Sequence, residues 1–136
     1  MSKIRVDLES VQVIEGQGVG EGDFELRVQV AEGSNLLVWP SLNGSTKVDK
    51  GGAAQSINKA VATYTVASGT LSKRFTIDVT EVDKGTLGQD DQGQSTLSFD
   101  LTPTMSPSTK SAVISLKRPD MSYLGKVKVN MTAQQA

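Results

Sequence analysis

The stretch Phe24-Glu25-Leu26-Arg27-Val28-Gln29-Val30 alternates apolar and polar side chains at every step. Neighbouring side chains of a strand point to opposite faces, so this pattern predicts a strand with one face buried and the other wet. The same period recurs along the chain. Phe75, Ile77 and Val79 alternate with Arg74, Thr76 and Asp78, and Leu97, Phe99 and Leu101 repeat the pattern. Val127, Val129 and Met131 do so with Lys126, Lys128 and Asn130. Near the start, Ile4, Val6 and Leu8 share one parity while Val11 and Val13 take the other. A slip of one residue turns every following side chain over, which predicts a bulge or kink near Glu9-Ser10.

Weaker alternation marks Leu36 to Trp39, Ala60 to Val66 and Ala112 to Leu116 as further strands. The first ends at Pro40, which removes a ladder donor and suits an edge strand or a strand terminus. Clusters of Gly, Ser, Asn and Asp separate the segments: Glu15 to Gly22, Glu32 to Asn35, Asn43 to Ser45, Lys50 to Gly52, Ser68-Gly69 and Lys84 to Gly93. Ala53 to Ala60 offers one short helical turn, and Thr132 to Ala136 reads as a frayed tail. About eight strands with turns at intervals of roughly 8 to 12 residues predict an all-β chain. The expected architecture is a single antiparallel β-sandwich of Greek-key type. Its core would be Val, Leu, Ile and Phe, with Trp39 the single indole.

The chain has 136 residues, the size of one domain, and residues 1–136 are read as one unit. At this length folding buries about 68% of the unfolded surface, enough for a core without staples. There is no cysteine and no histidine, so disulfides, thiolate or imidazole metal sites and His-based nucleophilic triads are excluded. Any metal must be one that favours oxygen ligands. The net charge of −1 gives no basic field for nucleic acid. No apolar run approaches the roughly 20 residues of a membrane span. The first residues, Met1 to Asp7, alternate and carry no signal-peptide core, so the expectation is a cytoplasmic chain or one exported without a cleaved leader.

Two segments concentrate carboxylates. One runs from Glu15 through Glu21 to Asp23, and the other from Glu81 and Asp83 to Asp90, Asp91 and Gly93. Ca²⁺ takes six to eight oxygens, which Asp, Glu and backbone carbonyls supply, and glycines let the backbone turn its carbonyls inward. Glu81 and Asp83 are two apart and project from one side of an extended chain. Against this stands the plainer reading that surface turns are rich in Asp, Glu and Gly for solubility alone. The residues leave the two readings even.

Other motifs fail. Counted from Asp83, an EF-hand loop puts Gly88 correctly but Gly85, Leu87 and Gln94 where ligands are needed. The glycines at 16, 18 and 20 form neither a dinucleotide fingerprint nor a calcium β-roll repeat.

The span from Phe75 to Gly93 resembles a C2 domain, a Ca²⁺-dependent β-sandwich family. It has an alternating strand, an acidic-x-acidic pair (Glu81-x-Asp83), a short loop, the pair Asp90-Asp91, and Gly93. The segment from Glu15 to Asp23 occupies the place of the family's other acidic loop. The resemblance implies Ca²⁺ held at one end of the sandwich by Glu81, Asp83 and either Asp90 or Asp91, together with Glu15, Glu21 and Asp23. It departs from the family in having glutamates at 15 and 81 and no Ser-Asp-Pro-Tyr segment after the first loop.

The resemblance implies a non-catalytic binding module whose partner is a protein or a membrane surface. Val19 and Leu87 are the candidate apolar tips, and Lys117, Arg118, Lys126 and Lys128 a small basic set. The alternative is a metal-independent structural or assembly sandwich, oligomeric, of a bacterial or phage surface or secretion apparatus. Sugar binding ranks lower, because Trp39, Tyr64 and Tyr123 are wanted by the core. Catalysis ranks last, since no raised-pKa acid facing a second carboxylate is marked.

Overall fold

The computed structural model describes residues 2–16, 24–49, 52–82, 91–117 and 123–136. Among the described residues nine strands follow one another: β1 (Ser2–Gly16), β2 (Phe24–Glu32), β3 (Asn35–Trp39), β4 (Thr46–Val48), β5 (Gln55–Val66), β6 (Leu71–Glu81), β7 (Asp91–Leu101), β8 (Ser108–Lys117) and β9 (Tyr123–Gln135). Every pairing is antiparallel. The order is β3-β2-β6-β7-β8-β9-β1-β5, with β4 also on β2. Among the described residues only Gln92 and Lys117 pair between β7 and β8, so the strands form two layers hinged at that seam. One layer is β3 and β4, β2, β6 and β7, and the other is β8, β9, β1 and β5.

The core lies between the layers. Phe24, Leu26, Val28, Val30, Phe75, Ile77, Val79 and Phe99 face it from the first, and Ile4, Val6, Leu8, Ile114, Val127, Val129 and Met131 from the second. These are the apolar positions of the alternating segments. Phe75 stands at the centre, edge-on to Phe99 at 6.0 Å and to Tyr64 at 6.5 Å between ring centroids. Trp39 is 8% exposed and joins the same cluster.

The parity slip is a bulge at Glu9. On one side the register passes from Leu8↔Met131 to Ser10↔Asn130, and on the other from Leu8↔Lys59 to Ser10↔Ser56. The extra residue turns the strand over, so Leu8 and Val11 both point inward. Opposite it, Asn58 takes a positive φ of 51°, a conformation that Asn tolerates better than most residues. Glu9 then reaches Thr132 with a hydrogen bond, and Thr132 bonds Thr109 at 2.9 Å. One row further on, Asn130 donates to Ser10 Oγ at 2.9 Å. The outer face of the second layer is thus laced by polar rows.

Three expectations are corrected. Ala53 to Ala60 forms no helical turn, because Gln55–Val66 pairs with β1 instead. Thr132 to Ala136 is no frayed tail: β9 runs to Gln135, which pairs with Ile4, and the Ala136 amide donates to the Lys3 carbonyl at 2.9 Å. The second acidic loop is shorter than expected, since Asp91 and Gly93 belong to β7. β3 is an edge strand, as Pro40 implies.

Gly93 makes the seam possible. A Cβ there would lie 2.3 Å from the Ser115 carbonyl oxygen and 2.5 Å from Ile114 Cγ2. Only glycine lets β8 come so close as the sheet turns from one layer to the other. Beyond the seam β7 has an open edge, and Lys110 covers it, donating to the Ser98 carbonyl at 2.6 Å with its ammonium 5.4 Å from the Phe99 ring centroid. At the opposite margin Tyr64 of β5 donates to Glu32 of β2, and Lys73 lies 3.9 Å from the same carboxylate. This cluster clasps the two layers together.

Candidate metal centre

The strand pairings place the flanks of both acidic segments at one end of the sandwich. β1 ends at Gly16 beside Gly125, and β2 begins at Phe24 beside Val48. Leu26 pairs with Glu81, the last residue of β6, and Glu81 pairs in turn with Asp91, the first of β7. Gln92 pairs with Lys117, the last residue of β8. The described residues that flank 17–23, 83–90 and 118–122 therefore all lie at this end.

Glu81 and Asp91 share the inner face, continuing the row that Leu26 begins. Asp91 is 4% exposed and Glu81 is half-buried. Directly opposed like charges repel, and a buried carboxylate is costly unless something compensates it. The remaining candidates are placed differently. Glu15 is exposed near the end of β1 and pairs in register with Lys126 of β9. Glu21, Asp23, Asp83 and Asp90 lie outside the described residues, as do Val19, Leu87 and Arg118. Among the described residues no group of three or more acidic side chains converges on a common point.

Asp49 is an acidic residue of this end that clustering along the sequence does not mark. It follows Val48, whose pairing with Phe24 brings it there, and its carbonyl accepts from the Gly52 amide at 3.3 Å. Gly52 has φ +102°, and its own carbonyl accepts from Gln12 Nε2, so this turn is tied to β1. Nothing local singles out Asp49, because β4 is three residues long and its position comes from pairing with a distant strand.

Of the basic set, Lys117 ends β8, Lys126 and Lys128 share β9, and Arg118 lies outside the described residues. Lys126 and Lys128 lie along β9 opposite Ser115 and Val113 on one side and Glu15 and Gln12 on the other. That is the polar face of a strand.

No family model matches the chain, and no curated protein does. Among solved structures, two C2 domains are similar to it. One of them, from plant extended synaptotagmin 1, is 13% identical, with 99% of this chain and 95% of that one covered and a TM-score of 0.44. A second C2 domain is 16% identical, with 100% and 99% covered and a TM-score of 0.47. Both likenesses are too distant to carry a functional reading.

Proposed function

We propose that this chain is a non-catalytic binding module that takes up Ca²⁺ at its acidic end. The observation that carries the reading is the direct opposition of Glu81 and Asp91 on the inner face, with Asp91 buried, at the end where both acidic segments are anchored. A cation between the two carboxylates would turn their repulsion into attraction. The donors are hard oxygens and the chain has no His or Cys, which suits Ca²⁺ or Mg²⁺ and no softer metal. Two carboxylates fall short of the six to eight oxygens Ca²⁺ needs. In this proposal Asp83 and Asp90 complete the set with Glu21 and Asp23, while Glu15 adds negative charge to the same end. Ca²⁺ tolerates such an irregular set better than Mg²⁺, which demands a near-ideal octahedron. Docking on a protein or membrane surface would follow cation uptake.

Thermal unfolding in EDTA, in millimolar Mg²⁺ and across a Ca²⁺ titration tests this. A saturable rise in Tm with Ca²⁺ but not Mg²⁺ is expected, and superimposed curves would end the proposal.

A second reading, a metal-independent assembly module, draws on the edge strand β3. Leu36 on this strand is 56% exposed, and Leu42 in the following turn is 69% exposed. An apolar sheet edge is a ready contact for another chain. A stable oligomer in EDTA, lost on Leu36→Lys, would favour it.

A further inference from the structure

The outer face of the first layer carries a polar hollow of 290 Å³, on the opposite side of the sheet from the inner-face carboxylates. It is lined by Arg27 and Gln29 of β2, Asp78 and Thr80 of β6, and Gln92 and Gly93 of β7. The register explains the grouping. Arg27 pairs with Thr80 and Thr80 with Gln92, while Gln29 pairs with Asp78. Arg27 and Asp78 are thus diagonal neighbours on adjacent strands, about 7–8 Å apart between Cα atoms, within reach of long side chains. Both are half-buried, and yet no ion pair joins them. Thr80 lies beneath the hollow, 9% exposed.

The lining therefore offers a guanidinium with several donors, a carboxylate that accepts, and the amides and hydroxyl that can do either. One positive and one negative charge are presented separately on one small surface. Three ligand classes fit poorly. A phosphate or other plain anion would be attracted by Arg27 but repelled by Asp78. A sugar ring would find no aromatic side chain to stack on. An apolar molecule would find mostly polar walls.

We propose that this hollow binds a small zwitterion, a free α-amino acid or the like, through Arg27 on its carboxylate and Asp78 on its ammonium. Arg27 can take a carboxylate with two parallel hydrogen bonds, and Asp78 can accept from the ammonium. Gln29, Gln92 and Thr80 would select a short polar side chain over a bulky apolar one. A volume at the lower limit of ordinary ligand sites restricts the occupant to a small molecule. The exposed setting predicts millimolar affinity.

Chemical-shift titration of the ¹⁵N-labelled protein with serine tests the proposal in EDTA, so that failure of the cation site cannot be confused with failure here. Saturable shifts at residues 27–29, 78–80 and 92–93 are expected. Acetate and methylammonium, each offering half the charge pattern, should bind at least tenfold more weakly. Arg27→Gln and Asp78→Asn should each weaken serine at least tenfold while leaving the Tm within a few degrees. Unsaturable shifts with serine would overturn the proposal. So would inorganic phosphate or glucose binding as tightly as serine, or unchanged binding by both variants.

Discussion

Glu81 and Asp91 face each other as directly opposed residues of β6 and β7, on the inner face and at the last rung of that ladder. Such a rung costs about 0.2–1 kcal/mol relative to a neutral pair when its charges are uncompensated. Bound Ca²⁺ would reverse that sign. Saturating Ca²⁺ at a hundredfold excess over Kd should add about 2.7 kcal/mol to the unfolding free energy. Glu81→Gln and Asp83→Asn should each abolish most of this gain, as read from Tm with and without Ca²⁺.

The close approach of β8 to Gly93 yields a second prediction. A methyl group at this position meets a backbone carbonyl at 2.3 Å, and a strand backbone cannot easily give way. Gly93→Ala should cost about 1–3 kcal/mol, read as a lower urea midpoint with an unchanged m-value. Gly33 provides the contrast. A Cβ there meets nothing within 4 Å, so Gly33→Ala should cost only the strain of its φ of +57°, about 1 kcal/mol.

Phe75 is wholly buried between Tyr64 and Phe99. Phe75→Ala removes both ring contacts and leaves a cavity, at a cost of about 3–5 kcal/mol. Typical domains have only about 5–15 kcal/mol to lose. Phe75→Leu should recover much of the loss, and urea unfolding of the two variants separates cavity from chemistry.

Alkaline pH should loosen the clasp at Tyr64. Burial, the hydrogen bond to Glu32 and the negative charge of Glu32 hold its hydroxyl well above the usual tyrosine value. The folded chain therefore keeps a proton that the unfolded chain gives up near pH 10. The stability this contributes is complete below pH 10 and falls as pH rises from there towards the folded value. Tyr64→Phe should flatten that alkaline decline, and Glu32→Gln should let Tyr64 ionise at lower pH, as followed by tyrosinate absorbance.

Much of the fold was legible because alternation is a local signal. Phe24 to Val30 shows in seven residues which face is buried, and the register confirms it. The bulge at Glu9 was legible for the same reason, as a change of parity between Leu8 and Val11. Alternation fails where pairing is decided from afar. The segment from Gln55 to Ala60 has few apolar residues and a positive-φ Asn58, so nothing local declares the strand that β1 imposes on it. Thr132 and Ala133 look like a polar tail, yet β1 and β8 enclose them on both sides.

The candidate site divides in the same way. Clustering of acids along the chain picked out Glu81 and Asp91, but as members of one loop. The structure makes them opposed strand ends, one of them buried, and brings Asp49 to the same end through the pairing of β4 with β2.

By itself the sequence determined the all-β class, the inward-facing residues of the alternating strands and the oxygen-only chemistry open to any metal. Side-chain period and residue inventory fix these without reference to distant contacts. Only the tertiary structure decided which strands are neighbours, and hence the seam at Gly93, the Glu81–Asp91 rung and the separate charges of Arg27 and Asp78. Each of these is a relation between residues far apart in the chain, set by strand register and by the closing of two layers over one core.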